Sequence, residues 1–139
     1  MSIEEDNKAR VGNFYIIFNQ KKYDQLNDLI ATDFVSHRTT GDISREDLIE
    51  GARILFSSFP DFNVTVDHLV AEGNMIAFRE TCTGTHTSEF AGFSATGNKV
   101  KFTSTTILKM ADGKWKEAWP NIDHMGLAQQ LGATPEEGK

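Results

Sequence analysis

Cysteine is nearly absent from the 139-residue chain: Cys82 stands alone, so no disulfide can form within it and nothing demands an oxidising compartment. A single thiol of this kind reads first as a small buried hydrophobe. No apolar run approaches the ~20 residues needed to cross a bilayer, and the opening MSIEEDNKAR is acidic without an apolar core, unlike a secretory signal. The expectation is a cytoplasmic protein with no membrane partner. Basic residues are in deficit too, with 14 Lys and Arg against 20 Asp and Glu and a formal net charge of -6. That balance argues against a nucleic-acid partner, which requires a basic patch to exchange for counterions. Glycine-rich phosphate loops, nucleophile elbows and metalloprotease motifs are missing, and the four histidines lack the close pairing of a metal site. Neither a repeat nor a low-complexity linker divides the chain, so residues 1–139 read as a single domain.

What remains is patterned in two halves. Ser2 and Glu5 read as a capping box before Val11, Phe14, Tyr15 and Phe18, whose three- and four-residue spacing predicts a helix to about Asn19. Tyr15 lies on the edge of that stripe, where its ring packs and its hydroxyl can reach a cavity. A second short helix is predicted from Tyr23 with Leu26, Leu29 and Ile30 inward, broken at Thr32 and Asp33. Phe34 to His37 then runs extended, with His37 at the mouth of whatever the apolar pair covers, and Gly41 to Ser44 reads as a turn. Ser44 and Asp47 open a further capping box, and Leu48, Ile49, Ala52, Leu55, Phe56 and Phe59 form the buried stripe of a third helix that Pro60 stops.

The second half reads as sheet. Val64, Val66, His68 and Val70 alternate with polar neighbours, Glu72-Gly73-Asn74 turns the chain, and Ile76, Phe78, Glu80 and Cys82 alternate in return. On this pattern His68 faces the core, and Arg79 pairs with Glu80 or Glu117 in a structural ion pair. Between Gly84 and Gly97, glycine, serine and threonine surround Phe90 and Phe93, the composition of a loop whose aromatic tips close over a ligand. A β-branched run marks a long strand from Val100 to Met110, turned at Asp112-Gly113. Helices followed by strands indicate an α+β fold, a curved, mostly antiparallel sheet wrapped around N-terminal helices.

The final stretch, WKEAWPNIDHMGLAQQLG, organises the functional reading. If it begins as a regular strand, Trp115, Glu117, Trp119, Asn121 and Asp123 share one face, so polar groups stand beside two indoles. Pro120 ends the pairing, and Asp123 falls where the strand gives out. A short helix through Met125, Leu127, Ala128 and Leu131 follows, closed by Gly132, and the tail beyond it reads as frayed. Asp123 is therefore either an N-cap or a desolvated acid/base.

Several motifs together resemble the SnoaL-like polyketide cyclases, the ester cyclases of the NTF2-like superfamily of cone-shaped α+β barrels. They are Phe59-Pro60-Asp61-Phe62, Ala71-Glu72-Gly73-Asn74 with Ala77-Phe78-Arg79, Gly84-Thr85-His86 with Glu89-Phe90, Gly92 and Thr96-Gly97, Asp112-Gly113-Lys114, and Trp119 with Asp123 ahead of Gly126-Leu127 and Gln130-Leu131-Gly132. The resemblance implies a small-molecule pocket, no metal or organic cofactor, and a homodimer or higher oligomer through the sheet. It further implies Asp123 as the acid/base of an intramolecular aldol closure, with His37 and His86 as pocket histidines and Tyr15 as a pocket tyrosine. Phe56, Phe59, Phe90, Phe93, Trp119 and Asn121 are then the expected substrate-binding wall. Ser94-Ala95 and His124 depart from the family's pattern at the rim, so an anthracycline-type substrate is not carried over. Two other readings of the same pattern are a non-catalytic ligand-binding protein and an enzyme that opens epoxides.

Overall fold

The computed structural model describes residues 2–132. Helix α1 (Ile3–Asn19) and the short α2 (Tyr23–Asp28) precede strands β1 (Ile30–Arg38) and β2 (Gly41–Ser44). Helix α3 (Arg45–Ser58) leads into β3 (Asn63–Glu72), β4 (Met75–Thr85), β5 (Lys99–Ala111) and β6 (Lys114–Ile122), and α4 (His124–Gln130) follows. The strands form one sheet in the order β2-β1-β6-β5-β4-β3, antiparallel except for the β1–β6 pair. This is the α+β class that the helix-then-strand pattern predicts.

Local chemistry sets the boundaries. The Glu5 N–H donates to Ser2 Oγ at the start of α1, and at α3 the Asp47 N–H donates to Ser44 Oγ while the Ser44 N–H donates to Asp47 Oδ2, both at 3.2 Å. Phe59 caps α3 just before Pro60, whose ring disfavours a helical predecessor. Asp112 and Gly113 both take positive φ, 52° and 75°, the type I′ geometry whose twist matches the flanking strands.

Two apolar clusters hold the layers together. Val11 and Phe14 of α1 meet Phe34, Phe78, Leu108 and Trp115, and the Phe14 ring stacks on the Trp115 indole at 3.7 Å. Phe56, Phe59 and Phe62 gather Val64, Cys82, Phe102, Leu127 and Leu131 at the other end. Between them Asn19, the last residue of α1, grips β3: its Nδ2 donates to Val64 O and its Oδ1 accepts from Val64 N–H, each at 2.9 Å.

Four expectations are corrected. Leu29 and Ile30 leave α2 because Trp115 N–H takes Leu29 O at 3.0 Å, which draws them into the parallel pairing with β6. Gly41–Ser44 is the return strand of a tight hairpin, not merely a turn. The other two concern faces. In β3 the register slips between Val66 and His68, leaving Asp67 as an extra residue, so His68 and Val70 turn outward and are exposed. In β6 it slips opposite Lys109 and Met110, with Lys116 the extra residue. Trp115 therefore shares the inner face with Ala118, Pro120 and Ile122, while Glu117, Trp119 and Asn121 lie on the other.

The outer face thus receives a charged cluster. His37 sits between two carboxylates, Nδ1 3.0 Å from Asp42 Oδ1 and Nε2 2.6 Å from Glu117 Oε2, and its ring stacks on Trp119. Beside it Lys116 pairs with Asp33 across the same strands. Both ring nitrogens of His37 face acceptors, so the imidazolium is favoured; Glu117, and then Asp42, raise its pKa above the usual histidine value.

Two outcomes follow. Asn19→Ala removes both bonds to Val64 and is expected to cost about 1–3 kcal/mol in urea unfolding, with the far-UV circular dichroism unchanged. For His37 the folded pKa exceeds the unfolded one, so its stabilising contribution is complete below about 6.5 and disappears as pH rises through the raised value. The Tm gap between the wild type and His37→Gln should be wider at about pH 6 than at about pH 9.

Candidate functional site

A cavity of about 300 Å³ opens between the concave face of the sheet and helices α1 and α3. Alternation along the strands decides what enters it. On β1 the buried Phe34 sets the phase, so Ser36 and Arg38 point inward while His37 points away. On β4 the inward row is Ile76, Phe78, Glu80, Cys82 and Gly84; on β5 it is Phe102, Ser104, Thr106 and Leu108. Apolar side chains make most of the wall, including Phe14, Phe18, Leu55, Phe62 and Trp115. Among them stand Tyr15, Ser36, Arg38, Glu80, Ser104 and Thr106.

Glu80 is the electrostatic centre of this group. It is only 6% exposed, and burial pushes its carboxyl up to about 7, against hydrogen bonding from Tyr15 and Thr106 and attraction to Arg38. The Thr106 hydroxyl lies 3.4 Å from Glu80 Oε1. Burial, then the Glu80 charge, hold the Tyr15 phenol well above its usual value, so it remains a neutral donor. Desolvation also lowers Arg38, which nonetheless keeps its charge as arginines do. Cys82 beside them is pushed up to about 12, chiefly by burial, which leaves the thiol un-ionised and unreactive. A carboxyl that titrates near neutrality, next to a phenol and a guanidinium in an apolar cavity, can take a proton from carbon and return it to oxygen.

The residues singled out in the sequence scatter around this centre. Tyr15 and Phe90 line the cavity. Phe56 and Phe59 are buried in the second apolar cluster, behind the wall, and Phe93 packs against that cluster. Trp119 and Asn121 are on the outer face with His37, because of the extra residue in β6. Asp123 is exposed and caps α4, accepting the Gly126 N–H at 2.9 Å; its chain neighbours Ile122 and His124 both line the cavity, so it stands at the rim. A Cβ at position 126 would run into the Asp123 carboxylate, so glycine there keeps the cap closed. His86 is fully buried outside the cavity wall, stacked on Phe59 at 5.3 Å. Its Nδ1 accepts from Thr96 N–H at 3.3 Å and lies 3.0 Å from Thr96 Oγ1, and its backbone bonds Gly97 and Asn98. It therefore fastens the far end of the loop after β4. Asp123, His37 and His86 do not meet at one point.

That loop is shaped at its tip. Phe90 and Phe93 exchange two backbone bonds of 2.9 and 2.8 Å around Ala91 and Gly92, both at positive φ. Ser58 Oγ donates to Glu89 O at 2.7 Å, and Ser88 Oγ to Ser57 O at 3.0 Å, which ties the tip to the end of α3.

Glu80, Arg38 and the two β5 hydroxyls are the functional candidates that the sequence reading missed. The signal for Glu80 was present, since it occupies an inward position between Phe78 and Cys82, and so was that for Arg38, two and four residues after Ser36 and Phe34 on one face. The anticipated ion pair of Arg79 with Glu80 or Glu117 does not form; Arg79 is exposed and pairs with Asp67, while Glu117 meets His37. Among the described residues, no group of three or more His, Cys, Asp or Glu is placed to hold a metal ion, and no helix is long and apolar enough to cross a membrane.

No curated protein matches the chain in sequence. Among solved structures, the fold is similar to AclR of Streptomyces galilaeus, described as a proposed hydroxylase, at 27% identity and a TM-score of 0.87, covering 95% of this chain and 99% of that one. It is similar to IdmH of Streptomyces antibioticus, a proposed polyketide cyclase, at 28% identity and a TM-score of 0.80, covering 91% and 99%. TsrD of Streptomyces laurentii, 22% identical with a TM-score of 0.86 over 96% and 100% of the two chains, shares the fold. The N-terminal helices and the curved, mostly antiparallel sheet are those of the NTF2-like type. With the SnoaL-like polyketide cyclase model matching residues 9–131, the chain belongs to the SnoaL-like polyketide cyclase family.

Proposed function

We propose that the protein is a small-molecule cyclase that closes a ring by acid/base chemistry on a polyketide-like carbonyl compound. The observation that carries this reading is Glu80, a buried carboxyl in a mostly apolar cavity whose proton affinity is centred near neutrality. In the ionised form it removes a proton from a carbon flanked by carbonyls. The resulting enolate attacks a second carbonyl of the same molecule, one C–C bond forms, and the new alkoxide takes the proton back from Glu80. The steps are proton transfers and one addition, so their balance calls for no redox partner. Tyr15, kept neutral, offers a hydrogen bond where the enolate oxygen develops.

A second reading keeps Asp123 as the reacting carboxyl. Its position between Ile122 and His124, both on the cavity wall, supports it. There the cap bond to Gly126 must be given up when the carboxylate turns inward. His37 and His86 then act only through the sheet and the loop they fasten. The assembly belongs to the same proposal: Ile107, 47% exposed, lies opposite Trp119 on the outer face, an apolar pair suited to a homodimer through the sheet.

Glu80→Gln and Asp123→Asn, assayed with a panel of small aromatic β-keto esters, separate these readings. With Glu80 as the base, Glu80→Gln lowers kcat by roughly 100-fold or more, Asp123→Asn changes it only a few-fold, and wild-type kcat/KM rises through about pH 7. The reverse ranking assigns the chemistry to Asp123. No wild-type turnover or solvent exchange of the carbon-bound proton across the panel favours a ligand-binding protein.

Glu80→Gln also has a stability consequence. The raised carboxyl makes folding bind a proton, so the folded state loses stability as pH climbs from about 4.5 through about 7. Above that, chemical denaturation should show the glutamine variant more stable than wild type by about 2–4 kcal/mol.

A further inference from the structure

Arg38 has no partner equal to its charge. Its side chain lines the cavity, and its one hydrogen bond among the described residues runs from Nε to Ser36 Oγ at 3.2 Å. Among those residues no carboxylate lies within 4.0 Å of it; the salt bridges of Arg45 and Arg79 are made elsewhere. The two terminal nitrogens of the guanidinium are thus left as a planar fork beside the cavity, the geometry that matches a carboxylate in two parallel bonds.

The surroundings do not offset this charge. Glu80 is attracted to Arg38 but holds its own proton for much of the time near neutral pH. Asp47, at the exposed edge of the cavity, is engaged with the Ser44 N–H. Ser104 adds a second observation: it is 6% exposed, lines the cavity beside Glu80 in the β4–β5 register, and its hydroxyl has no hydrogen bond among the described residues. A cation beside a cavity-lining hydroxyl, set in a mostly aromatic and aliphatic wall, describes a site for an apolar body with one anionic end.

We propose that Arg38, with Ser36 orienting it and Ser104 beside it, forms an anion subsite, and that the ligand of this cavity is an aromatic or polycyclic acid bearing a free carboxylate. The inference rests on the reading of the cavity as the substrate site, and not on ring closure by Glu80. It changes the expected substrate from a neutral ester to the corresponding acid. It also gives the ligand one orientation, with the carboxylate at β1 and the rings against Phe14, Phe34 and Trp115.

Equilibrium titration calorimetry at pH 7 and 0.15 M salt tests it, with 2-naphthoate and its neutral isostere 2-naphthamide as probes. The naphthoate should bind the wild type at least tenfold tighter than the amide. Arg38→Gln should bring the two affinities together, and Arg38→Lys should retain part of the difference. Naphthoate that fails to bind, or binds no tighter than the amide, overturns the subsite, as does an unchanged ratio in Arg38→Gln. The wild-type comparison needs no variant to fold. Because the subsite is read by binding here and ring closure by turnover above, loss of the anion preference leaves the ring-closing reading standing, and the reverse holds as well.

Discussion

Everything in the cavity depends on which strand positions face it, and in β6 that is governed by one extra residue. A strand turns successive side chains to opposite faces, so one inserted residue exchanges the inner and outer sets for the remainder of its length. Lys116 does this in β6 and Asp67 in β3. Without the first, Glu117 and Trp119 would stand where Ala118 and Pro120 now are, and the cavity would hold an indole and a further acid in place of small apolar walls. The same insertion delivers Glu117 to His37 and builds the outer cluster. Inner site and outer cluster are thus two results of a single irregularity.

Within that frame the polar interior is held against an energetic slope. Burying Glu80 among apolar groups costs stability once it ionises, and the protein offsets only part of it through Thr106, Tyr15 and Arg38. Full offset would fix the carboxyl in its charged form and remove its use as a proton carrier. Partial offset leaves it poised. The surrounding clusters of aromatic rings, above all the Phe14–Trp115 stack, supply rigidity that a cavity of this size would otherwise lack.

Much of this architecture was legible in the residues. The helix starts at Ser2 and Ser44, the stop at Pro60, the turns at Gly73 and Asp112-Gly113, and the strands of the second half all follow from local chemistry. What the residues did not display was register. Neither Lys116 nor Asp67 is a glycine or proline that would announce an irregularity; the slip is fixed by pairing with β5 and β4, which are distant in sequence. Hence the common face assigned to Trp115, Glu117, Trp119 and Asn121 dissolved, and His68 came out rather than in. Glu80 was visible on an inward row but was read as half of an ion pair, because the apolar row around it was not taken as the stronger constraint. Ile30 shows the opposite case, a residue with helical spacing claimed by a parallel strand partner.

The loop tip carrying Phe90 has a mechanical meaning. Two reciprocal backbone bonds with Phe93 and the left-handed turn between them make the tip stiff, while the loop is fastened to the end of α3 by the Thr87 N–H on Ser58 O and by the Ser58 and Ser88 hydroxyls. Stiff within itself and held at its base, the tip is a single piece, so a substitution that loosens its hold on Ser57 and Ser58 is felt at Phe90 as a whole and not residue by residue.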